Sequence, residues 1–591
     1  MSGKSVASLT ALAAVSWLGA CDPSGSPERA EPRRSEAVAS GSEPADLVLT
    51  NGAVYAVDAV RSWAQAVAIR DGRIVYVGAD AGAEPYVGEG TKLVDLEGRM
   101  VLPGFQDAHV HPVHSGVTYN QCALFDLQSV EALVARVEQC ADEHPEWTWI
   151  RGGGWLVDNF APSGIPDKKL LDAVVPDRPV SLTSSDGHSL WVNSKALELA
   201  GITAETPDPK GGRIDRYPGA REPSGSLQED AAMMLVMSKE PPLTTAELEG
   251  GLRYALAHLN SLGITAVQDA IVKLEGGDPY RGLGAYHAVD RAGELSLRVV
   301  AALFWDNQAP IDEQVERFIA ARDEHTRGHV RATTIKIWQD GVIETRTAAL
   351  LEPYTDRDDG YKGELMNAPQ RLKEAVTELD AAGFQVHIHA IGDAAIRASL
   401  DAVQAARAAN GPRDARHHIA HIQLCDPADI PRFRELGVVA NFQPLWGVMD
   451  RYITELTLPR VGAARARWIY PIGSLARSGA VLAFGSDWYV SSANPLWGIE
   501  AAVTRLGPNG ETSEPLTPEE AISLADAIAA YTIGSAYVNF LDAETGSIEV
   551  GKLADLVVLE RNLFAIPLTE LSETKVTATL FGGNVVYGAL D

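Results

Sequence analysis

Cationic side chains are in short supply. The 591 residues hold 50 lysines and arginines against 79 aspartates and glutamates, a net charge of −29 with a pI near 4.9. That balance argues against nucleic acid and anionic membrane surfaces as partners and describes a well-solvated acidic exterior. Cysteine is scarcer still, at four residues, which excludes a disulfide-built scaffold. No repeat of solenoid type is present. No apolar run is long enough for a comfortable transmembrane helix; the first candidate, Val6 to Ala20, falls short. Histidine is sparse too, with 14 copies, yet three fall within six positions at His109, His111 and His114.

The short apolar run belongs to a leader. Residues 1–21, "MSGKSVASLTALAAVSWLGAC", carry one cation, Lys4, before the apolar stretch, a secretory signal pattern. Its end, Leu18-Gly19-Ala20-Cys21, resembles a bacterial lipobox, which implies lipidation of Cys21 and export to the periplasmic side of a membrane. Residues 22–45 are rich in Ser, Pro, Glu and Arg and read as a disordered tether. In an oxidising compartment Cys122 and Cys140 could pair, whereas Cys425 reads as a buried thiol.

Short alternating strands with glycine turns occupy 46–103 and 546–591, so the two chain ends are expected to meet in one small β-sandwich. Between them, over 104–545, apolar strands alternate with helical patterns. Strand candidates are 263–270, 295–303, 331–338, 383–393, 417–424, 437–444 and 480–488. The strand carrying His109 makes eight, which predicts an α/β fold, a (β/α)8 TIM-like barrel, interrupted by an insertion at about 119–250.

His109 and His111 stand at positions i and i+2 of a strand, so their imidazoles project together while Val110 faces away. An isolated His-x-His is a weak signal. In such a barrel, however, chemistry sits at the C-terminal strand ends. Those ends read His109 and His111 (first), Lys336 in "IKIWQDG" (fourth), His389 in "HIHAIGD" (fifth), His421 in "HIAHIQL" (sixth) and Asp487 in "FGSDW" (eighth). All would converge on one axis, and together they predict a metal site.

The phrases "VLPGFQDAHVH", "IRGGGWLVDN", "PDRPVSLTSSDGHSLWVNSKALELAGI", "EPSGSLQED", "IKIWQDGVIETRTAAL", "HIHAIGDAAI", "FGSDWYVSSANPL" and "TGSIEVGKLADLVVLE" follow one another between residues 101 and 560, within a resemblance that covers about 46 to 591. In kind and order they resemble the amidohydrolase superfamily, in particular its amidohydrolase 3 branch of YtcJ-like and N-substituted formamide deformylase-like proteins. The resemblance implies two divalent metal ions, zinc by preference, with His109, His111 and Asp487 on one and His389 and His421 on the other. Lys336 would bridge them as a carbamate formed with carbon dioxide. It also implies a metal-activated hydroxide as nucleophile and Asp487 as the proton shuttle.

His188 resembles a family histidine that reaches the site from the insertion and polarises the substrate carbonyl; a structural loop histidine is the other reading. Trp155, Arg346 and Trp446 are candidates to line the substrate pocket. His387 reads as supporting or core, His114, His417 and His418 as structural or loop residues, and Asp340 and Gly341 as turn residues that support the ligands. The expected substrate is a small molecule with a C–N amide-type bond: an N-acyl or N-formyl amine or an amino-acid conjugate. The alternatives are an ester, lactone or cyclic amide in the same site, or a non-catalytic ligand-binding lipoprotein.

Overall fold

The computed structural model describes residues 43–125, 127–161, 163–274 and 281–590. The leader, Cys21 and most of the tether lie outside the described residues. The fold starts just inside the expected tether: Ala45 is buried and its N–H donates to the Tyr86 carbonyl. Among the described residues no helix is long and apolar enough to cross a membrane.

Eight parallel strands form the barrel: β1 (Phe105–Val110), β2 (Ile264–Val272), β3 (Arg298–Phe304), β4 (Val330–Trp338), β5 (Gln385–Ala390), β6 (His418–His421), β7 (Val439–Phe442) and β8 (Leu482–Phe484). They pair in chain order, with helices between them such as Ile311–His325 and Asp393–Asn410. Beyond the end of β8 the chain closes onto β1. Asp487 N–H donates to the His109 carbonyl at 2.7 Å, and His111 N–H donates to the Trp488 carbonyl at 3.1 Å. Gly485 permits this approach, because a Cβ there would lie 2.5 Å from the His109 nitrogen.

Both faces of each barrel strand are covered, so the period of two separates two kinds of interior. On β4, Ile335 and Ile337 join the main apolar core while Lys336 faces the other way; on β5, Val386, Ile388 and Ala390 do so while His387 and His389 face the other way. β5, β6 and β8 are shorter than the apolar patterns suggest. β6 stops at His421, which has φ 79°, and the segment after β8 turns at Asp487, φ 56°. Left-handed backbone at non-glycine residues ends strand pairing there and redirects the side chains.

The segment between β1 and β2 holds its own six-stranded sheet, running from Cys122 to Gln228. The helix Thr245–Ser261 leads directly into β2, so the interposed segment ends before it. A capping box sets the start of that helix: Thr244 Oγ1 accepts the Glu247 N–H at 3.2 Å, and the Glu247 carboxylate accepts the Thr244 N–H at 2.8 Å. Cys122 and Cys140 are disulfide-bonded with Cα atoms 5.7 Å apart, and Cys425 is a buried free thiol. Closing a loop with a sequence separation of 18 is worth about 3 kcal/mol in the chain-entropy picture. Cys122→Ser is therefore expected to lower the denaturant midpoint of the oxidised protein. A midpoint equal to wild type in oxidised samples would exclude the bridge as a stabilising element.

The chain ends meet as two packed sheets. One comprises Leu47–Thr50, Ala66–Arg70, Arg73–Gly78 and Lys92–Asp95. The other pairs the N-terminal strand Met100–Pro103 antiparallel with the C-terminal strand Leu556–Leu559. Leu49, Val67 and Ile69 from the first sheet share a core with Val101, Leu556, Val558 and Leu580 from the second.

Candidate metal centre

The structure brings His109, His111, Lys336, His389, His421 and Asp487 together, all of them buried. Ring centroids run His111–His109 5.5 Å, His109–His421 4.7 Å and His421–His389 4.5 Å. Lys336 Nζ lies 3.4 Å from His109 Nε2. Asp487 Oδ1 lies 3.0 Å from His111 Nε2 and 3.6 Å from His109 Nε2; Asp487 Oδ2 is 3.9 Å from His421 Nδ1.

Burial sets the protonation of this cluster. It pushes His109, His387, His389 and His421 well below the ordinary histidine range, with Lys336 and neighbouring imidazoles adding to the effect, so these rings are neutral. Burial also brings the Lys336 ammonium down to about 7, against the opposing pull of Asp487.

Hydrogen bonds behind the cluster choose the tautomers. Gln268 Nε2 donates to Asn539 Oδ1 at 2.9 Å, which leaves Gln268 Oε1 to accept from His387 Nδ1 at 2.6 Å. His387 Nε2 must then accept, and it meets His109 Nδ1 at 2.9 Å. His109 Nε2 therefore presents a lone pair to the cluster. In the same way His421 Nδ1 donates to Gln443 Oε1 at 2.8 Å, and His389 Nε2 donates to the Gly341 carbonyl at 3.3 Å. Each ring is left with its other nitrogen as an acceptor.

The donor set fits a divalent cation. Asp487 Oδ1 is buried and accepts no hydrogen bond, although two imidazole nitrogens stand within 3.6 Å of it. The lone pair of His109 Nε2 faces that oxygen at 3.6 Å, and the two gain nothing inside a protein without a positive charge between them. His109, His111 and Asp487 could hold one ion.

The loop that carries Asp487 is fastened by Asp107. Its Oδ1 accepts the N–H groups of His109 and Ser486, both at 3.0 Å, and its Oδ2 accepts the Ser486 hydroxyl. Burial raises the Asp107 carboxyl to about 7 despite these bonds. Asp340 does comparable work behind β4, accepting N–H groups from Ala349, Ile391 and Gly392.

His188 reaches the barrel from the interposed segment, its ring 6.0 Å from that of His389. Burial would lower it, but the Glu229 carboxylate, 2.9 Å from Nδ1, raises it to about 9. Trp446 stacks flat on His421 at 5.0 Å and 5°, and so forms a wall of the site. Arg346 is engaged elsewhere: its guanidinium pairs with Asp356.

Trp155 does not line the pocket. It is fully buried in the apolar core of the interposed segment, against Phe160 and Trp191, and its indole N–H donates to the Leu182 carbonyl at 2.8 Å. A tryptophan whose polar tip and apolar body are both satisfied inside that core has nothing left for a ligand. His114 packs edge-on to Tyr489, and His417 bridges the Val386 N–H and Asp380, in keeping with structural roles. Sequence reasoning assigned no roles to Asp107, Gln268, Gln443 or Glu229. Asp107 and Glu229 nevertheless stand inside two of the diagnostic phrases, "QDAHVH" and "EPSGSLQED".

Barrel and strand-end donors together make a candidate metal site, and with the family it matches the chain is a metal-dependent hydrolase. The chain belongs to the amidohydrolase family, whose model matches residues 92–587. It is 34% identical over 551 residues to Protein LONG AFTER FAR-RED 3 of Arabidopsis thaliana, covering 92% of each chain. It is 27% identical over 559 residues to N-substituted formamide deformylase of Arthrobacter pascens, covering 92% of this chain and 98% of that one. The solved structure of an uncharacterized metal-dependent hydrolase from Pyrococcus horikoshii OT3 superposes with a TM-score of 0.70 at 26% identity, covering 88% of this chain and 99% of that one.

Proposed function

We propose that this chain hydrolyses a C–N amide-type bond of a small molecule, an N-acyl or N-formyl amine, in a centre built for two divalent cations. The buried Asp487 oxygen that accepts no hydrogen bond, facing His109 and His111, is the observation that carries this reading. Full-length similarity to a protein named for deformylation of N-substituted formamides supports the choice of bond.

His109, His111 and Asp487 would hold one ion, His389 and His421 the other, and Lys336 would contact both as a carbamate. A lysine poised near pH 7 keeps much of its amine unprotonated, as reaction with carbon dioxide requires, and the product offers two anionic oxygens where an ammonium would repel cations. When bound, such ions polarise the scissile carbonyl and supply a hydrolytic nucleophile at neutral pH. Asp487 accepts the proton of the attacking water and delivers it to the departing nitrogen. His188, charged through Glu229, donates a hydrogen bond to the substrate oxygen as negative charge builds there. Trp446 supplies an apolar wall beside His421.

The leader supports export and anchoring at Cys21, which labelling with a radioactive fatty acid would test; absence of label from the mature chain would reject the anchor. For the activity, zinc-loaded protein is assayed against matched acyl amines, formamides, esters and lactones. Faster turnover of the amides, abolished by chelator and restored by zinc, is expected. Preference for the esters or lactones would replace the proposed bond, and binding without turnover of any member would remove the enzymatic reading.

A further inference from the structure

We infer that Glu229, a residue of the interposed segment and not of the barrel, is a positioning residue that fixes the His188 ring over the reacting atoms. The inference rests on the hydrolase reading above and deepens it: part of the working site is then borne by a segment outside the barrel.

Two bonds tie the pair. Glu229 Oε2 lies 2.9 Å from His188 Nδ1, and Glu229 N–H donates to the His188 carbonyl, also at 2.9 Å. Strands Ser189–Val192 and Pro223–Gln228 are antiparallel with Ser189 opposite Gln228, so His188 and Glu229 stand together at the open end of one ladder. A buried hydrogen bond from Ser189 Oγ to Gln228 Oε1, 2.6 Å, locks that register. The turn before Ser189 is held as well: Asp186 accepts the His188 N–H at 3.1 Å and the Tyr452 hydroxyl at 3.2 Å.

Glu229 adopts φ 64°, a left-handed conformation that a glutamate takes only when its surroundings impose it, at a cost of order 1 kcal/mol. The gain is the direction of its carboxylate. An ionised carboxylate only accepts, so Nδ1 of His188 carries the proton and Nε2 is the nitrogen left for the site. The pair also abuts the barrel rim at Gly341. A Cβ on Gly341 would lie 2.2 Å from Thr347 Oγ1 and 2.9 Å from Glu229 Oε1, while the Gly341 carbonyl accepts from His389. Any side chain at this position would crowd the Glu229 carboxylate, while its carbonyl holds the His389 ring.

The test uses the full, zinc-loaded chain with Glu229→Gln, His188→Asn and the double variant. Glu229→Gln is expected to lower kcat on the best amide of the panel roughly 10–100-fold, with KM and metal content little changed. In the His188→Asn background the same change should alter kcat by less than about twofold, because its route of action is gone. Losses that simply multiply, or an unchanged kcat, would overturn the inference. A second readout needs no turnover. With ¹⁵N-histidine, wild type should show a strongly downfield Nδ1–H proton that His188→Asn removes and that Glu229→Gln removes or moves upfield. Absence of that proton in wild type overturns the positioning role even if Glu229→Gln does not fold. If no substrate is turned over but the proton is present, the hydrolase reading fails while the fixed ring stands.

Discussion

Asp487→Asn is expected to lower kcat/KM by roughly a thousandfold while leaving the fold intact, since a positioned proton acceptor is typically worth 10²–10⁴ in rate. Asparagine has the same shape and is among the residues that tolerate left-handed backbone, so φ 56° at this position does not penalise it. Asp107 still fastens the loop through Ser486. What disappears is the negative charge of the Asp487 carboxylate among the imidazoles, and with it the proton acceptor. Steady-state kinetics with metal content and a thermal melt measured on the same sample check this. Near-normal turnover at full metal occupancy would remove Asp487 from the chemistry.

Lys336→Met is expected to abolish turnover and yet make the metal-free protein more stable. The lysine is buried inside the barrel, on the strand face opposite Ile335 and Ile337, and burial brings it from 10.5 to about 7. Its folded value lies below its unfolded value, so between about pH 7 and 10.5 the unfolded chain binds a proton that the folded chain does not. Stability of the metal-free wild type should therefore rise with pH across that window, and the penalty is fully present below it. At neutral pH the penalty is of order 3–5 kcal/mol, and methionine removes it while filling similar space. Urea melts of the two metal-free proteins at several pH values measure the difference. A variant less stable than wild type at pH 7, or one with the same pH dependence across the window, would contradict the reading of Lys336 as a residue kept at a cost for what it binds. A variant that retained activity would end its role as bridge.

The barrel was legible because apolar strand patterns alternate with helical ones along the chain, and because β4 and β5 interleave Ile335, Ile337, Val386 and Ile388 with Lys336, His387 and His389. The convergence of those side chains follows from strand ends alone. Strand boundaries were not legible: β6 ends where His421 leaves the β region, β8 ends at Phe484 before the turn at Asp487, and nothing in "HIAHIQL" or "FGSDW" announces a left-handed residue. Nothing in "IRGGGWLVDN" tells a pocket tryptophan from a packing one, and the Trp155 side chain is needed for the core of a second sheet. Glu229 was missed for a related reason. It lies 41 residues from His188, and only the register that sets Ser189 against Gln228 brings them together. The chain through Gln268, His387 and His109 likewise depends on β1, β2 and β5 meeting inside the barrel. Sequence pattern supplies the ligands; three-dimensional closure supplies what fixes their protonation.

The most direct test is anomalous diffraction at the zinc edge from crystals of protein grown and purified without chelator. The expected result is two peaks, one within bonding distance of His109, His111 and Asp487 and one within bonding distance of His389 and His421, with density beyond Lys336 Nζ reaching both. Fully ordered side chains with no peak beside His109, His111 and Asp487 would contradict the assignment of a metal centre.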